Sequence, residues 1–168
     1  MRLSTKGRYA VMAMVDLARH SSGAPVALAD IAERQEISLS YLEQLFAKLR
    51  RGGLVRSVRG PGGGYLLGHP AVELRISDII LAVDEPIRAT RCASGSPAGC
   101  RSNRSRCMTH DLWEELGNQI HLFLSSVSLA DVVSNKILGT SGHVHQQQAA
   151  IPPIGAQMRP IAAPAPAE

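Results

Sequence analysis

The residues of this chain best suited to chemistry are three cysteines and a histidine in one segment, CASGSPAGCRSNRSRCMTH at 92–110, which holds every cysteine of the protein. Seven residues separate Cys92 from Cys100, six separate Cys100 from Cys107, and His110 follows the last thiol by three. Thiolates and imidazole are soft-to-borderline donors, suited to zinc or to an iron-sulfur cluster. The residues between the cysteines are Gly, Ser, Pro, Ala, Asn and Arg, and such a segment buries too little apolar surface to offset the entropy of ordering it. A bound metal would take the place of the missing core. Unrelated free thiols are the plainer alternative, but buried structural cysteines normally sit among apolar neighbours, whereas these sit beside Arg91, Arg101, Arg104 and Arg106. Structural zinc sites usually bring closely spaced cysteine pairs, and here only Cys107 and His110 are close. A 2Fe-2S core on three thiolates is net negative and the four arginines would compensate it; solvated loop charges would look the same. At this point a 2Fe-2S cluster, a 4Fe-4S cluster and zinc all remain open. A thiol enzyme pairing Cys107 with His110 would also need an oxyanion hole and a substrate pocket, and no other motif builds either, so no catalytic residue is expected.

The surrounding chain must position this loop. It has 168 residues, room for one domain or two small ones. Its 18 basic and 14 acidic side chains leave a net charge of +4, and residues 1–68 alone carry ten basic and five acidic groups, net +5. An N-terminal basic excess favours a polyanionic partner there. The apolar run at 9–15 is too short to span a bilayer, and no secretory signal pattern is read at the start. Three thiols acting as ligands fit a reducing compartment, so a cytoplasmic protein without a membrane partner is expected.

In the N-terminal half, Ser4 or Thr5 caps a helix running to about His20 that is apolar on nearly all sides and needs more than one neighbour. Lys6 and Arg8 at its start could reach a phosphate. After Pro25, Leu28, Ile31 and Ala32 mark a short amphipathic helix. Ser38 or Ser40 starts the next, where Leu42, Leu45, Phe46 and Leu49 take the i, i+3, i+4, i+7 spacing of a buried face and leave Tyr41, Glu43, Gln44, Lys48 and Arg51 opposite. Two short helices joined by a tight turn, the second with a polar and basic face, are what helix-turn-helix readers present to a major groove. Gly52 and Gly53 stop the helix, and the run at 60–64 reverses a β-hairpin wing carrying Arg56, Arg59 and Gly60. An arginine beside a narrow glycine tip fits a minor groove. Glu43 has two readings: a capping box with Ser40, or an acceptor for the amino group of cytosine.

In the C-terminal half, Ser77 is expected to cap a short helix through Ile79, Ile80 and Val83. Thr109 can cap the next, where Trp113, Leu116, Ile120, Phe123 and Val127 form a heptad seam widened by Leu112 and Leu124. Intramolecular packing would explain the seam; so would a dimer helix, and a small DNA reader gains affinity by pairing on a palindromic site. The run at 128–133 reads as one more short capped helix. From Thr140 no apolar face remains, and the tail, with His143 and His145, reads as disordered. The expected fold is mostly α: a winged helix-turn-helix DNA-binding domain at 1–68, a linking helix and Cys/His loop at 69–111, a dimerisation helix with a short C-terminal helix at 109–138, and a disordered tail at 139–168.

The stretches MRLSTKGRYAV at 1–11, ISLSYLEQLF at 37–46, VRGPGGGYLLG at 58–68 and ATRC at 89–92 resemble the winged-helix regulators that include the iron-sulfur cluster regulator IscR, and the resemblance covers about residues 1–138. It implies a homodimeric transcription factor on a double-stranded DNA operator, holding a 2Fe-2S cluster by three cysteines and one histidine. By position, Cys92, Cys100, Cys107 and His110 match those ligands, Ser40, Glu43 and Gln44 match the base-reading face, and Arg59 matches the wing arginine. It further implies iron-sulfur cluster donor proteins as partners and a feedback role, in which loaded protein represses cluster-assembly genes and apo protein keeps a second operator class. Regulators sensing nitric oxide or iron status share this architecture, mostly without a histidine as fourth ligand, so His110 leans toward the IscR type. A zinc-stabilised repressor without a cluster is the reading from a different class.

Overall fold

The computed structural model describes residues 4–87, 89, 99–101 and 105–137. Cys92, Arg91, Arg104, His143, His145 and the tail at 139–168 lie outside the described residues. Six helices and one hairpin follow in the order α1 (Thr5–His20), α2 (Leu28–Gln35), α3 (Leu39–Arg51), β1 (Val55–Val58), β2 (Gly64–Leu67), α4 (Ile76–Ala82), α5 (His110–Ser126) and α6 (Leu129–Val133).

Helix α1 starts where the sequence places it, with the Ser4 hydroxyl accepting from the backbone N–H of Lys6. Ala10, Ala13, Met14 and Leu17 are completely buried, and α1 packs against α2, α3, β2, α4 and α6. One polar group is buried with them. Asp16 takes two guanidinium nitrogens of Arg34, the shorter contact at 2.6 Å, and the Gln35 amide at 2.7 Å. This ties α1 to the end of α2. Glu36 then turns the chain in the left-handed region at φ 54°, and Ile37 tucks into the core, which gives the tight corner between α2 and α3. Leu42, Leu45, Phe46 and Leu49 are buried on the inner face of α3, as their spacing predicts.

The wing is a two-stranded antiparallel ribbon in register Val55↔Leu67 to Val58↔Gly64, extended on one edge by a bridge from Val26 to Tyr65. Gly64 makes that edge possible: a Cβ there would stand 2.3 Å from the Val26 carbonyl oxygen. Tyr65 packs edge-on against Phe46 at 4.9 Å, joining the wing to α3.

Two start signals differ from the sequence reading. Helix α4 begins at Ile76, with Arg75 before it and Ser77 buried inside its first turn, so Ser77 is not its cap. The Ile76 N–H is instead satisfied by the Val127 carbonyl at 3.1 Å, a long-range partner. Helix α3 begins at Leu39 after Ser38, which places Ser40 within the helix and leaves the Ser40–Glu43 capping box unformed. By contrast, the short α6 has a complete capping box between Ser128 and Asp131. One core crosses residue 68: Leu74, Ile76, Ile79, Ile80, Val83, Val127 and Leu129 join the N-terminal helices in a single cluster. No helix among the described residues is long and apolar enough to cross a membrane.

Burial pushes the Asp16 carboxyl up, but the hydrogen bonds from Arg34 and Gln35 and the charges of Arg34 and His20 outweigh it, and its pKa lies below the ordinary carboxylate value. A carboxylate depressed in the folded state adds stability above its unfolded pKa, and that contribution is lost as pH falls through the folded value. Removing one partner of a fully buried pair costs roughly 3–5 kcal/mol; the Arg34 side chain is 34% exposed, so Asp16→Asn should cost about 2 kcal/mol at neutral pH. In urea unfolding, the gap between variant and wild type should be constant from neutral pH down to about pH 4 and shrink below it; a gap unchanged at pH 2.5 would exclude this role for the charge.

Candidate nucleic-acid interface and metal centre

The polar face of α3 lies open. Ser40, Glu43, Gln44 and Arg51 are exposed, and Tyr41 is half-buried with its ring edge-on to Tyr9 at 6.0 Å. With the capping box unformed, the Glu43 carboxylate is left for solvent or a ligand and makes no salt bridge among the described residues. Ser38 precedes the helix without a side-chain bond to it. Lys48 is the exception on this face, because its Nζ lies 2.7 Å from Asp84 Oδ2. Arg56 stands exposed on β1, Arg59 and Gly60 are exposed at the wing turn, and Gly60 has φ 109°. Arg8 is exposed and Lys6 half-buried in the first turns of α1. All the residues the sequence assigns to DNA contact are therefore among those described, on α1, α3 and the wing, and the Tyr9–Tyr41 contact joins the first two elements.

At the other end of the chain, His110 is the first residue of α5 and is buried, and its backbone N–H donates to the Cys107 carbonyl at 3.1 Å. Cys100 Sγ lies 3.0 Å from His110 Nδ1. The far side of the ring faces the next turn, with Nε2 3.6 Å from Glu114 Oε2. Cys107 Sγ is 3.8 Å from Thr109 Oγ1. Two of the four expected ligands are thus in contact, the third is tied to the same helix start through its backbone, and Cys92 lies outside the described residues. A soft sulfur and a borderline nitrogen within reach of each other suit zinc or iron held by thiolate. His110, Asp111 and Glu114 also bring one ligand atom each within 4.8 Å of one another, but Asp111 is exposed and paired with Arg106 at 3.4 Å, an arrangement common without any ion. Sequence reading missed Glu114, although its i+4 spacing from His110 on one helix is a legible signal. It also missed Asp84, whose partner is distant in sequence.

The seam of α5 divides in two. Among the described residues of this helix only His110 and Gly117 are buried. Leu112, Trp113, Leu116 and Phe123 are exposed to between 36% and 62%, and Ile120 is half-buried. Val127 does not continue their face: the helix ends at Ser126, and Val127, in extended conformation, is buried in the core of its own chain. Leu124 also packs on that core.

Among known proteins, the HTH-type transcriptional regulator IscR of Photorhabdus laumondii is 57% identical to this chain over 143 residues, 84% of this chain and 85% of that protein. A putative HTH-type transcriptional regulator, ORF2 of Azotobacter vinelandii, is 60% identical over 134 residues, covering 80% of each. Among solved structures, T. potens IscR aligns over 80% of this chain and 87% of its own, with 40% identity and a TM-score of 0.64. CymR, the global cysteine regulator of B. subtilis, aligns over 80% and 97% with 34% identity and a TM-score of 0.65. These relatives are named as regulators, not enzymes. The family model described as Rrf2, iron-dependent transcriptional regulator, matches residues 3–135. With its helix-turn-helix, wing and open polar helix face, the chain belongs to the Rrf2 family of transcriptional regulators.

Proposed function

We propose that this chain is a homodimeric regulator of the IscR type that reads a double-stranded DNA operator under the control of a 2Fe-2S cluster, the loaded form repressing genes for cluster assembly. The observation that carries the reading is the contact of Cys100 with His110 at the first residue of α5. Cys92, Cys100, Cys107 and His110 would hold the group, with donor types that fit it. When bound, it supplies coordination bonds that order the segment and a one-electron redox couple. The chain's own residues do the rest. Glu114, facing Nε2, orients the ring so that Nδ1 is the nitrogen presented to Cys100. Arg101 and Arg106, both exposed, offer positive charge beside the thiolates. Cys100 is itself exposed, which leaves an approach for donor proteins.

Fixing residue 110 fixes where α5 begins and therefore how Trp113, Leu116, Ile120 and Phe123 are presented to a second copy. The spacing between the two reading helices follows from that pairing. Ser40, Glu43 and Gln44 would meet base edges and Arg59 the minor groove, while Lys6, Arg8, Ser38, Tyr41, Arg51, Arg56 and Gly60 contact the backbone.

Oxygen-free preparations, reconstituted where necessary, should contain about two irons and two acid-labile sulfides per chain. Cys92→Ala, Cys100→Ala and Cys107→Ala should each abolish the visible absorbance and shift operator choice without unfolding residues 1–68. Colourless protein with stoichiometric zinc and no labile sulfide would replace the cluster by a structural metal.

Glu43→Ala should relax base preference more than it lowers affinity, reducing discrimination at the contacted position by roughly tenfold or more. Equal ranking of a panel of operator variants by both proteins would reject that role.

Phe123→Glu and Leu116→Glu should turn a sedimenting dimer into a monomer at about 10 μM and weaken binding to a palindromic duplex by on the order of a hundredfold. Dimers that persist in both variants would move the interface elsewhere.

A further inference from the structure

The chain leaves α4 through two consecutive carboxylates, and both reach back to the helices that carry the DNA-reading residues. Asp84 adopts φ 57°, one of three described non-glycine residues with positive φ, and this left-handed turn sends its side chain to Lys48 on α3, at 2.7 Å. Lys48 stands one turn after Gln44 and three residues before Arg51, on the open side of the reading helix. The next residue, Glu85, accepts from the Ser4 backbone N–H at 3.1 Å and from the Ser4 hydroxyl. Ser4 caps α1, whose first turns bear Lys6 and Arg8. The exit is therefore pinned to both helices.

A carboxylate placed there is not neutral toward a polyanion. Hydrogen bonding and charge from Lys48, and then the charges of Lys6 and Arg51, hold the Asp84 carboxyl below its ordinary pKa, so it is ionised wherever DNA would bind. It occupies a cation of α3 that a backbone phosphate would otherwise take, and it cancels one positive charge on that surface. The Asp84 side chain is 73% exposed and that of Lys48 27%, which makes the pair separable, because solvent-exposed ion pairs are individually weak.

We propose that Asp84 is an internal competitor for the DNA backbone, withholding Lys48 from phosphate so that the position of the α4 exit tunes the affinity of the reading helix. The inference rests on reading α3 as the DNA-binding face. It assigns a regulatory part to a segment that leads, seven residues after Glu85, to Cys92: displacing the exit changes the charge that α3 offers to DNA.

The test uses the full chain and a duplex recovered by the wild-type protein from a random-sequence pool, with affinity measured by fluorescence anisotropy from low to high salt. Asp84→Asn is the informative change, because asparagine adopts the left-handed region readily and only the charge is lost. The variant should bind about three- to fivefold tighter at low salt, and its plot of log affinity against log salt should be steeper by about one. In a Lys48→Met background the same Asp84→Asn change should bring no gain, and Lys48→Met alone should weaken binding less in wild type than in Asp84→Asn. Thermal melting of the four proteins confirms that each is folded. An Asp84→Asn protein no tighter than wild type overturns the proposal. So does an equal gain in the Lys48→Met background, which would mean general repulsion rather than a withheld lysine. Failure of the wild type to recover any duplex would instead remove the DNA-binding reading, and this inference with it.

Discussion

The structure depends on the burial of α1. Its inner residues Ala10, Ala13, Met14 and Leu17 have no exposed surface, and a helix that is apolar almost all the way round is stable in water only if neighbours cover it on every side. The helix pair α2 and α3 and strand β2 are some of those neighbours; α4 and α6 are the others. The reading half therefore has no complete core without the C-terminal half. Such an interior is close-packed and passes a displacement on rather than absorbing it. A shift of α4 is felt at α1 and, through the Tyr9–Tyr41 and Lys48–Asp84 contacts, at the reading helix. The Asp16–Arg34 pair gives this core one fixed orientation between α1 and α2, since a buried carboxylate left without its partner is strongly unfavourable.

What the sequence makes legible is whatever is encoded within a turn or two of helix. The buried face of α3 follows from four apolar residues at helical spacing, and the wing follows from glycines where the backbone must take positive φ or approach Val26 closely. What escapes is whatever a distant partner decides. Serines stand at the starts of both α3 and α4, but only Ser38 precedes its helix; Ser77 lies inside α4, whose start the Val127 carbonyl already satisfies. Asp16 reads as a lone acid in an apolar run, and its partner is 18 residues away. The heptad spacing runs on to Val127, but periodicity predicts a face only for as long as the helix lasts, and this one ends a residue earlier. At the candidate site, residue types and spacing point to ligands, whereas the meeting of Cys100 with His110 across ten residues is a product of the fold.

Helix α5 shows how the two halves of the proposed function bear on each other. It is 17 residues long, its first residue is preceded by Thr109 without a side-chain cap, and only two of its described residues are buried. A helix of that length is marginal by itself in water, and this one lacks two things: a partner for its N-terminal turn and cover for its apolar face. In the proposed reading, ligation at His110 supplies the first and a second chain the second. Both act on one helix, and whichever binds first meets the ordering cost that the other then avoids. In that reading metal occupancy and dimerisation are linked without any need for a ligand to touch the interface. By reciprocity, anything that strengthens the dimer, a palindromic operator included, strengthens the hold on the metal by the same factor.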